Sequence, residues 1–200
     1  TDSDRLGYAY KGDVHYYINT RSYDGGWFQI SSGGWIQQKY ATRLTESEMD
    51  EILAHAASVG VEIVPHVNMP GHMNALLDAM EYVGIQDAHF TGHTQSASSV
   101  NLNNQEALNF MFALTDKYAA YFSEAGCKYF HIGADEYAND AYGGNMGFPT
   151  MGSALYAKFA DFVNDNAAIV EGYGMTPRAW NDGIYYGSYT AQFDSNIEVH

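Results

Sequence analysis

The chain has 200 residues, of which 24 are Asp or Glu and 9 are Lys or Arg, so its formal net charge is −15. Such an acidic chain is repelled by phosphate groups, which excludes non-specific nucleic-acid binding and a peripheral site on anionic lipid. No apolar run approaches the ~20 residues of a membrane-spanning helix, so we expect no membrane insertion. The length and the 46% hydrophobic content suit one domain with a buried core.

The first predicted helix begins near Thr45. Before it, residues 7–40 alternate aromatic residues with Gly and Ser without a clean period, which predicts a long irregular excursion with room for a hairpin. Thr45 and Glu48 form a capping-box pattern, in which each side chain accepts a hydrogen bond from the other's backbone N–H. Apolar residues at helical spacing follow, and Gly60 ends the helix.

Four short apolar segments are predicted to be buried strands: Val61–Val67, Lys128–Ala134, Thr176–Asp182 and Asn196–His200. Two further amphipathic helices are predicted between them, one over 108–122 and one over 155–170. Residues 84–103 form a polar stretch that is too long to be a simple connector.

Alternation of helices with apolar strands is typical of parallel βα units. The first three strands end in polar residues, and chemistry at the carboxyl ends of parallel strands is typical of a (β/α)₈ barrel. A doubly wound open sheet is the alternative, but no glycine-rich phosphate loop follows a strand. The sequence therefore predicts an α/β fold that is part of a (β/α)₈ barrel, roughly strands 3 to 6, with the first three strands above as adjacent parallel neighbours.

The strongest local pattern is the run from His131 to Glu136, HIGADE, in which an apolar strand leads into Asp135 and Glu136. Two carboxylates this close raise the pKa of one of them, so that one is protonated and the other ionised near neutral pH. Such a pair can protonate a leaving oxygen while it stabilises a developing cation. An isolated Asp-Glu pair is more often a solvated loop, but the strand before it favours a functional pair.

A second pattern, from Pro65 to His72, reads PHVNMPGH. Its two prolines and its glycine predict a rigid turn that fixes the position of His72. A structural turn with an incidental histidine is the alternative interpretation.

These motifs, in this order and followed by a strand with Trp180, resemble glycoside hydrolase family 20. The segments Phe130–Asp140 and Asn181–Tyr186 are most similar to the cell-surface β-N-acetylglucosaminidases of streptococci and related Gram-positive bacteria. The resemblance covers residues from about 44 to the end. It implies an extracellular or cell-surface enzyme that releases terminal β-linked N-acetylhexosamine, most often N-acetylglucosamine, from glycans without a metal or another cofactor.

The resemblance also implies a role for each residue of the motifs. Asp135 would orient and stabilise the substrate's own 2-acetamido group, whose carbonyl oxygen is the nucleophile, and Glu136 would be the general acid. The implied supporting residues are His72, His131 and Asn68. The implied substrate-binding residues are Trp180, Asp182 and Tyr137.

The sequence departs from the family's common pattern at three positions. Ala134 stands where a second glycine is usual, and His66 and Asn68 replace a frequent Glu and Asp before the turn. Less negative charge near the acid would make Glu136 easier to ionise. Near the start of the chain, Asp2 or Asp4 would correspond to the family's carboxylate that pairs with the turn histidine.

The sequence leaves open two alternative functions and the share of the barrel domain that the 200 residues cover. A metal-dependent hydrolase would use His66, His72, His131 and Asp135, but these residues lack a short ligand pair such as HxxH. A non-catalytic carbohydrate-binding fragment is the other alternative. Because a (β/α)₈ barrel typically takes ~250 residues, we expect residues 1–200 to be the central fragment of one catalytic domain, with an open barrel and no activity by itself.

Overall fold

The computed structural model describes residues 45–143, 147–186 and 190–200, together with the backbone of three strands in the first 37 residues. Those strands are β1 (Tyr17–Arg21), β2 (Trp27–Ile30) and β3 (Trp35–Gln37), which form an antiparallel sheet in the order β1-β2-β3. Residues 7–40 therefore contain two antiparallel hairpins, β1–β2 and β2–β3, where the sequence predicted room for one. The remaining predictions for residues 1–44, including those for Asp2 and Asp4, lie outside the described residues.

Helix α1 (Glu46–Ser58) begins where the capping-box pattern predicts. The Thr45 side chain accepts a hydrogen bond from the Glu48 N–H at 3.3 Å, and the Thr45 N–H donates to Glu48 Oε2 at 2.7 Å. Gly60, with φ +72°, follows the helix and lets the chain turn away in the left-handed conformation.

The remaining elements follow in chain order. They are β4 (His66–Met69), α2 (Asn74–Tyr82), β5 (His89–Thr91), β6 (Gln95–Val100), α3 (Gln105–Glu124), β7 (Tyr129–Gly133), α4 (Gly147–Thr150), α5 (Gly152–Gly172), β8 (Thr176–Ala179), α6 (Asn181–Ile184) and β9 (Glu198–Val199). Helices α3 and α5 confirm the two amphipathic helices predicted from the sequence.

The central sheet has the order β4-β7-β8-β9, and each pairing is parallel. His66 pairs with His131, which in turn pairs with Arg178, so that three consecutive strands share one register. This arrangement confirms the predicted α/β class and the predicted order of adjacent parallel strands. The described part of the sheet is open, with β4 and β9 at its edges.

Two strand boundaries differ from the prediction by more than two residues. The first strand begins at His66 and not at Val61, because the Val61 N–H bonds back to the Ala56 carbonyl at the end of α1. The third strand ends at Ala179, and residues as far as Ile184 form the short helix α6. Asp182 therefore lies on a helical turn after the strand.

The core lies between the sheet and the helices α3 and α5. Phe130 and Ile132 of β7 are buried, as is Phe159 of α5. The rings of Phe112 and Phe162 stack across the two helices with their centroids 5.7 Å apart. This packing holds β7 at the centre of the sheet, and β7 carries the chain into Asp135 and Glu136.

Helices α2, α4 and α6 and strands β5 and β6 were not predicted. Helix α2 follows the PGH turn and begins after Met73, which makes no side-chain cap. Strands β5 and β6 form an antiparallel hairpin within the polar stretch 84–103, and the β6 sequence QSASSV lacks the apolar alternation of a strand. The hydrogen bonds of this hairpin to neighbouring loops, described below, stabilise it.

Candidate active site

Side chains from three strand ends meet at the carboxyl edge of the sheet. His72 follows β4, Asp135 and Glu136 follow β7, and Trp180 follows β8. His72 Nε2 lies 3.3 Å from Asp135 Oδ2 and 3.3 Å from Glu136 Oε2. The turn histidine thus bridges the two carboxylates, which are adjacent in the sequence.

The two carboxylates differ in their surroundings. The Asp135 side chain is 24% exposed and the Glu136 side chain is 52% exposed. Burial raises the pKa of Asp135, the nearby His72 opposes that rise, and the negative charge of Asp182 adds to it. Two adjacent carboxyl groups in unequal environments are suited to separate roles in acid–base chemistry.

Close backbone packing sets the positions of these side chains. The Ala134 N–H donates to the Met69 carbonyl at 2.8 Å, which fastens the end of β7 to the end of β4. A Cβ atom at Gly71 would lie 2.8 Å from the Asp135 carbonyl oxygen, so the PGH turn approaches the Asp135 loop too closely for any side chain there. His72 and Glu136 both have left-handed backbones, with φ of 55° and 47°.

Asp182 belongs to the same group of residues. Its Oδ2 accepts a hydrogen bond from the Glu136 N–H at 2.9 Å. The third strand end therefore fixes the backbone of the residue that carries the exposed carboxylate. The family resemblance implies in addition that Asp182 binds substrate.

Beneath the carboxylates lies a cluster of rings in the interior. The His66 and His131 centroids are 4.3 Å apart, and the Trp180 ring lies 4.5 Å from that of His131 and 6.0 Å from that of His66. Trp180 is 39% exposed, so one side of its ring packs on the histidines while another part faces the rim. An exposed indole backed by fixed rings is suited to contact an apolar group of a ligand.

Burial lowers the pKa of both interior histidines. For His131 the pKa falls to about 4, with smaller contributions from His66, His200 and Arg178. For His66, burial outweighs the opposing effects of the Asp135 carboxylate and the Asn68 side chain on the pKa. Both rings are therefore neutral at neutral pH.

The hydrogen bonds of this cluster define one tautomer. The Gly133 N–H donates to His131 Nδ1 at 3.1 Å, which places the proton of the neutral ring on Nε2. His66 Nε2, Asn68 Oδ1 and His131 Nε2 are buried and have no hydrogen-bond partner within the described part of the chain. The family resemblance implies supporting roles for His131 and Asn68 but none for His66. His66 joins these residues because it pairs with His131 on the neighbouring strand, a contact between residues that are far apart in the sequence.

Tyr137, which the resemblance implies to be a substrate-binding residue, lies away from these side chains. Its side chain is fully buried, its ring packs against Phe90 and Phe159, and its hydroxyl donates to the Val100 carbonyl at 2.9 Å. A left-handed residue on each side, Glu136 and Ala138, turns the chain so that Tyr137 points into the core. Tyr137 therefore does not join the exposed group.

Across residues 45–143, 147–186 and 190–200, no three His, Cys, Asp or Glu side chains are arranged to hold a metal ion. None of the helices in those ranges is both long enough and apolar enough to cross a membrane.

A match to the sequence profile of a known family shows the family of this chain. The sequence profile described as "Glycosyl hydrolase family 20, catalytic domain" matches residues 17–199. The chain belongs to glycosyl hydrolase family 20. The open parallel sheet with its helices is accordingly part of the (β/α)₈ barrel expected for this family, and the Asp135–Glu136 pair lies at the carboxyl end of one barrel strand.

The chain is also similar to individual proteins and solved structures. Lacto-N-biosidase from Bifidobacterium bifidum is 30% identical over 148 residues, which cover 70% of this chain and 13% of that protein. A solved structure of the pneumococcal virulence factor StrH, an exo-β-D-N-acetylglucosaminidase, is 37% identical and has a TM-score of 0.75, covering 82% of this chain and 41% of that chain. Dispersin B, at 23% identity and a TM-score of 0.62, shares the fold. The chain spans less than half the length of each of these relatives.

Proposed function

We propose that this chain carries the catalytic carboxylates of an exo-acting, retaining β-N-acetylhexosaminidase. Its substrate would be a glycan with a non-reducing terminal β-linked N-acetylhexosamine, with N-acetylglucosamine as the sugar. The observation that supports this proposal most strongly is the contact of His72 Nε2 with both Asp135 and Glu136 at 3.3 Å, at the strand ends of a family 20 fold.

The proposed first step is intramolecular. The carbonyl oxygen of the substrate's 2-acetamido group attacks the anomeric carbon, and the glycosidic oxygen leaves with the proton of Glu136. The product of this step is a cyclic oxazolinium ion. Glu136 suits the role of acid because its carboxyl group is half exposed and can reach a leaving group at the rim.

Asp135 has the second role. Its carboxylate would accept a hydrogen bond from the acetamido N–H and stabilise the positive charge that develops on the ring. The neighbouring His72 favours the ionised form that this role requires, against the burial that raises the pKa of Asp135. In the second step Glu136 takes a proton from water, which opens the oxazolinium ion with net retention.

Trp180 and Asp182 complete the proposed site. The partly exposed indole of Trp180 would line the pocket for the acetamido methyl group, with the rings of His66 and His131 behind it. Asp182 holds the Glu136 backbone in place. Asn68, His66 and His131 support this side of the site from below, and none of them takes part in a bond-making step.

The location of the enzyme is part of the same proposal. An enzyme that trims terminal sugars of glycans outside the cell would be extracellular or attached to the cell surface. The similarity to the pneumococcal virulence factor StrH supports this location. Labelling of intact cells with an antibody to the full-length protein would test it, and labelling only after lysis would contradict it.

The experiment that tests the proposed function uses the full-length protein and an aryl β-N-acetylglucosaminide. We expect release of the aglycone, a first-formed β-anomer of the sugar by NMR, and strong inhibition by a thiazoline in which sulfur replaces the attacking oxygen. Asp135→Asn should lower kcat by roughly 10²–10³-fold and weaken thiazoline binding. Asp161→Asn, at an exposed position of α5, is the matched control and should change neither.

The alternatives predict other results. No aglycone release would favour a non-catalytic carbohydrate-binding protein. Loss of activity with a chelator, restored by a divalent metal, would favour a metal-dependent hydrolase. A trapped covalent glycosyl-enzyme without thiazoline inhibition would contradict the substrate-assisted mechanism.

A further inference from the structure

The β5–β6 hairpin lies between the two loops that carry His72 and Glu136. Toward the PGH turn, the Val100 N–H donates to the Pro70 carbonyl at 3.0 Å, and the Ser98 carbonyl accepts from the Met73 N–H at 2.8 Å. Pro70 and Met73, which make these two bonds, lie on either side of His72 in the sequence. Strand β6 therefore fixes the backbone on both sides of the bridging histidine.

The same strand also holds the loop that follows Glu136. Asp140 accepts two short hydrogen bonds, from Ser96 Oγ at 2.6 Å and from the Ala97 N–H at 2.7 Å. Closer to Glu136, Ser99 Oγ accepts a hydrogen bond from the Ala138 N–H at 2.9 Å. One short strand thus connects two catalytic loops that are far apart in sequence.

Both loops need such support because of their backbone conformations. His72, Glu136 and Ala138 have φ values of 55°, 47° and 62°. The left-handed region costs a non-glycine residue on the order of 1 kcal/mol, and it persists only where surrounding contacts determine it. Without the hairpin, the Glu136 loop would relax toward ordinary backbone angles and move the carboxylate away from His72.

Ser96 is the centre of the connection. It is fully buried, and while its hydroxyl donates to Asp140 it also accepts from the N–H groups of Ser98 and Ser99 at 3.1 and 2.8 Å. A hydrogen bond to an ionised carboxylate is shorter and stronger than one between neutral groups. The Asp140–Ser96 bond therefore orders the tight bend of β6 and anchors the catalytic loop to it.

We propose that Asp140 and Ser96 are positioning residues for the reaction, which hold Glu136 at its working distance from His72 through the β5–β6 hairpin. This inference rests on the proposed function, since it concerns the placement of the acid. It predicts that loss of the Asp140–Ser96 bond impairs proton transfer to the leaving group more than it impairs binding of the sugar.

The test compares Asp140→Asn, Ser96→Ala and the double variant with the full-length parent protein. In Asp140→Asn, the carboxamide must turn an N–H toward either the Ala97 N–H or the Ser96 hydroxyl, so at least one bond is lost. Asp87→Asn, the same charge change at an exposed residue before β5, is the matched control. The readouts are kcat and KM for aryl β-N-acetylglucosaminides with good and poor leaving groups, and the melting temperature.

We expect kcat on poor leaving groups to fall by roughly 10–100-fold in each variant, as is typical when a catalytic group is displaced slightly. The loss should be smaller on acidic phenols, and KM should change by less than about threefold. The losses in the double variant should be smaller than the product of the two single losses, because both changes act on the Asp140–Ser96 bond. Asp87→Asn should behave as the parent.

Three results would overturn the inference. One is folded variants whose kcat stays within about twofold of the parent. Another is an equal loss for all leaving groups, which would mean that the bond does not act through Glu136. A loss that merely follows a lower melting temperature, and disappears at lower assay temperature, would show a structural role alone.

Two further results need a separate interpretation: a variant that does not fold and a parent protein without activity. If Asp140→Asn does not fold, Ser96→Ala alone decides. It removes the bond to Asp140 and the two bonds that Ser96 Oγ accepts from Ser98 and Ser99, and it leaves the Ala97 N–H bond to Asp140 intact. If the parent protein has no activity on any aryl glycoside, the proposed function itself fails. An active parent with insensitive variants overturns only the positioning role.

Discussion

His66 and His131 occupy paired positions on two adjacent parallel strands, and their imidazole rings lie 4.3 Å apart beneath the carboxylates of Asp135 and Glu136. Two rings this close repel each other when both are charged, and burial already opposes the charge on each. The replacement of a frequent Glu by His66 therefore places a neutral ring, and not a carboxylate, below Asp135 at neutral pH.

This pair predicts a pH dependence of stability. The pKa of His131 is about 4 in the folded protein and near 6.5 when it is free, so the unfolded chain binds more protons between these values. The contribution of neutral His131 to the free energy of unfolding should be complete above pH 6.5. It should decrease as the pH falls toward 4, by up to ~1.4 kcal/mol for each pH unit. Denaturant unfolding at several pH values should show a shallower decrease for His131→Gln than for the parent. Identical slopes would contradict the buried, neutral assignment of His131.

A second prediction concerns Gly133, in the HIGADE motif. With φ +77°, a Cβ atom there would lie 2.9 Å from the Met69 backbone nitrogen, so Gly133→Ala should strain the backbone and push β4 away from β7. Gly126→Ala is the control, since Gly126 has φ +86° but a Cβ atom there would meet no other group within 4 Å. We expect a loss of about 1–2 kcal/mol for the control and clearly more for Gly133→Ala, measured by denaturant unfolding. Equal losses would show that the close approach of β4 is not limiting.

The sequence predicted those helices and strands that are determined by residues close to one another in the chain. The capping box at Thr45 and the motif strand that ends before Asp135 were found because neighbouring residues determine them. The β5–β6 hairpin was missed because hydrogen bonds to loops distant in sequence stabilise it, as the bond of Ser96 to Asp140 shows. The resemblance placed Tyr137 with the substrate, but the left-handed residues beside it turn its side chain into the core.

The convergence of His72 with Asp135 and Glu136 was predictable because parallel strands present their carboxyl ends at one edge. The contact of Asp182 with the Glu136 backbone was not, since it depends on the short helix that replaces the end of the predicted third strand.

Trp180 provides a third prediction, on substrate binding. Because the indole is 39% exposed at the rim, Trp180→Phe should lower kcat/KM on N-acetylglucosaminides by roughly tenfold and leave the melting temperature nearly unchanged. Phe159→Leu is the contrasting variant, since Phe159 is fully buried and its truncation should cost about 1–3 kcal/mol of stability. Marked destabilisation by Trp180→Phe with unchanged kinetics would assign Trp180 to the core.

The most direct test of the account is the dependence of Glu136→Gln on the leaving group. Protonation of the leaving oxygen typically contributes ~10²–10⁴ in rate, and phenols of low pKa need little of it. Single-turnover or steady-state rates should be measured for a series of aryl β-N-acetylglucosaminides whose phenols span a range of pKa values. Glu124→Gln, at the exposed end of α3, serves as the control and should match the parent. We predict a loss of roughly 10²–10⁴-fold for the least acidic phenols that shrinks steadily toward the most acidic ones. A loss of the same size across the whole series would contradict the assignment of Glu136 as the general acid.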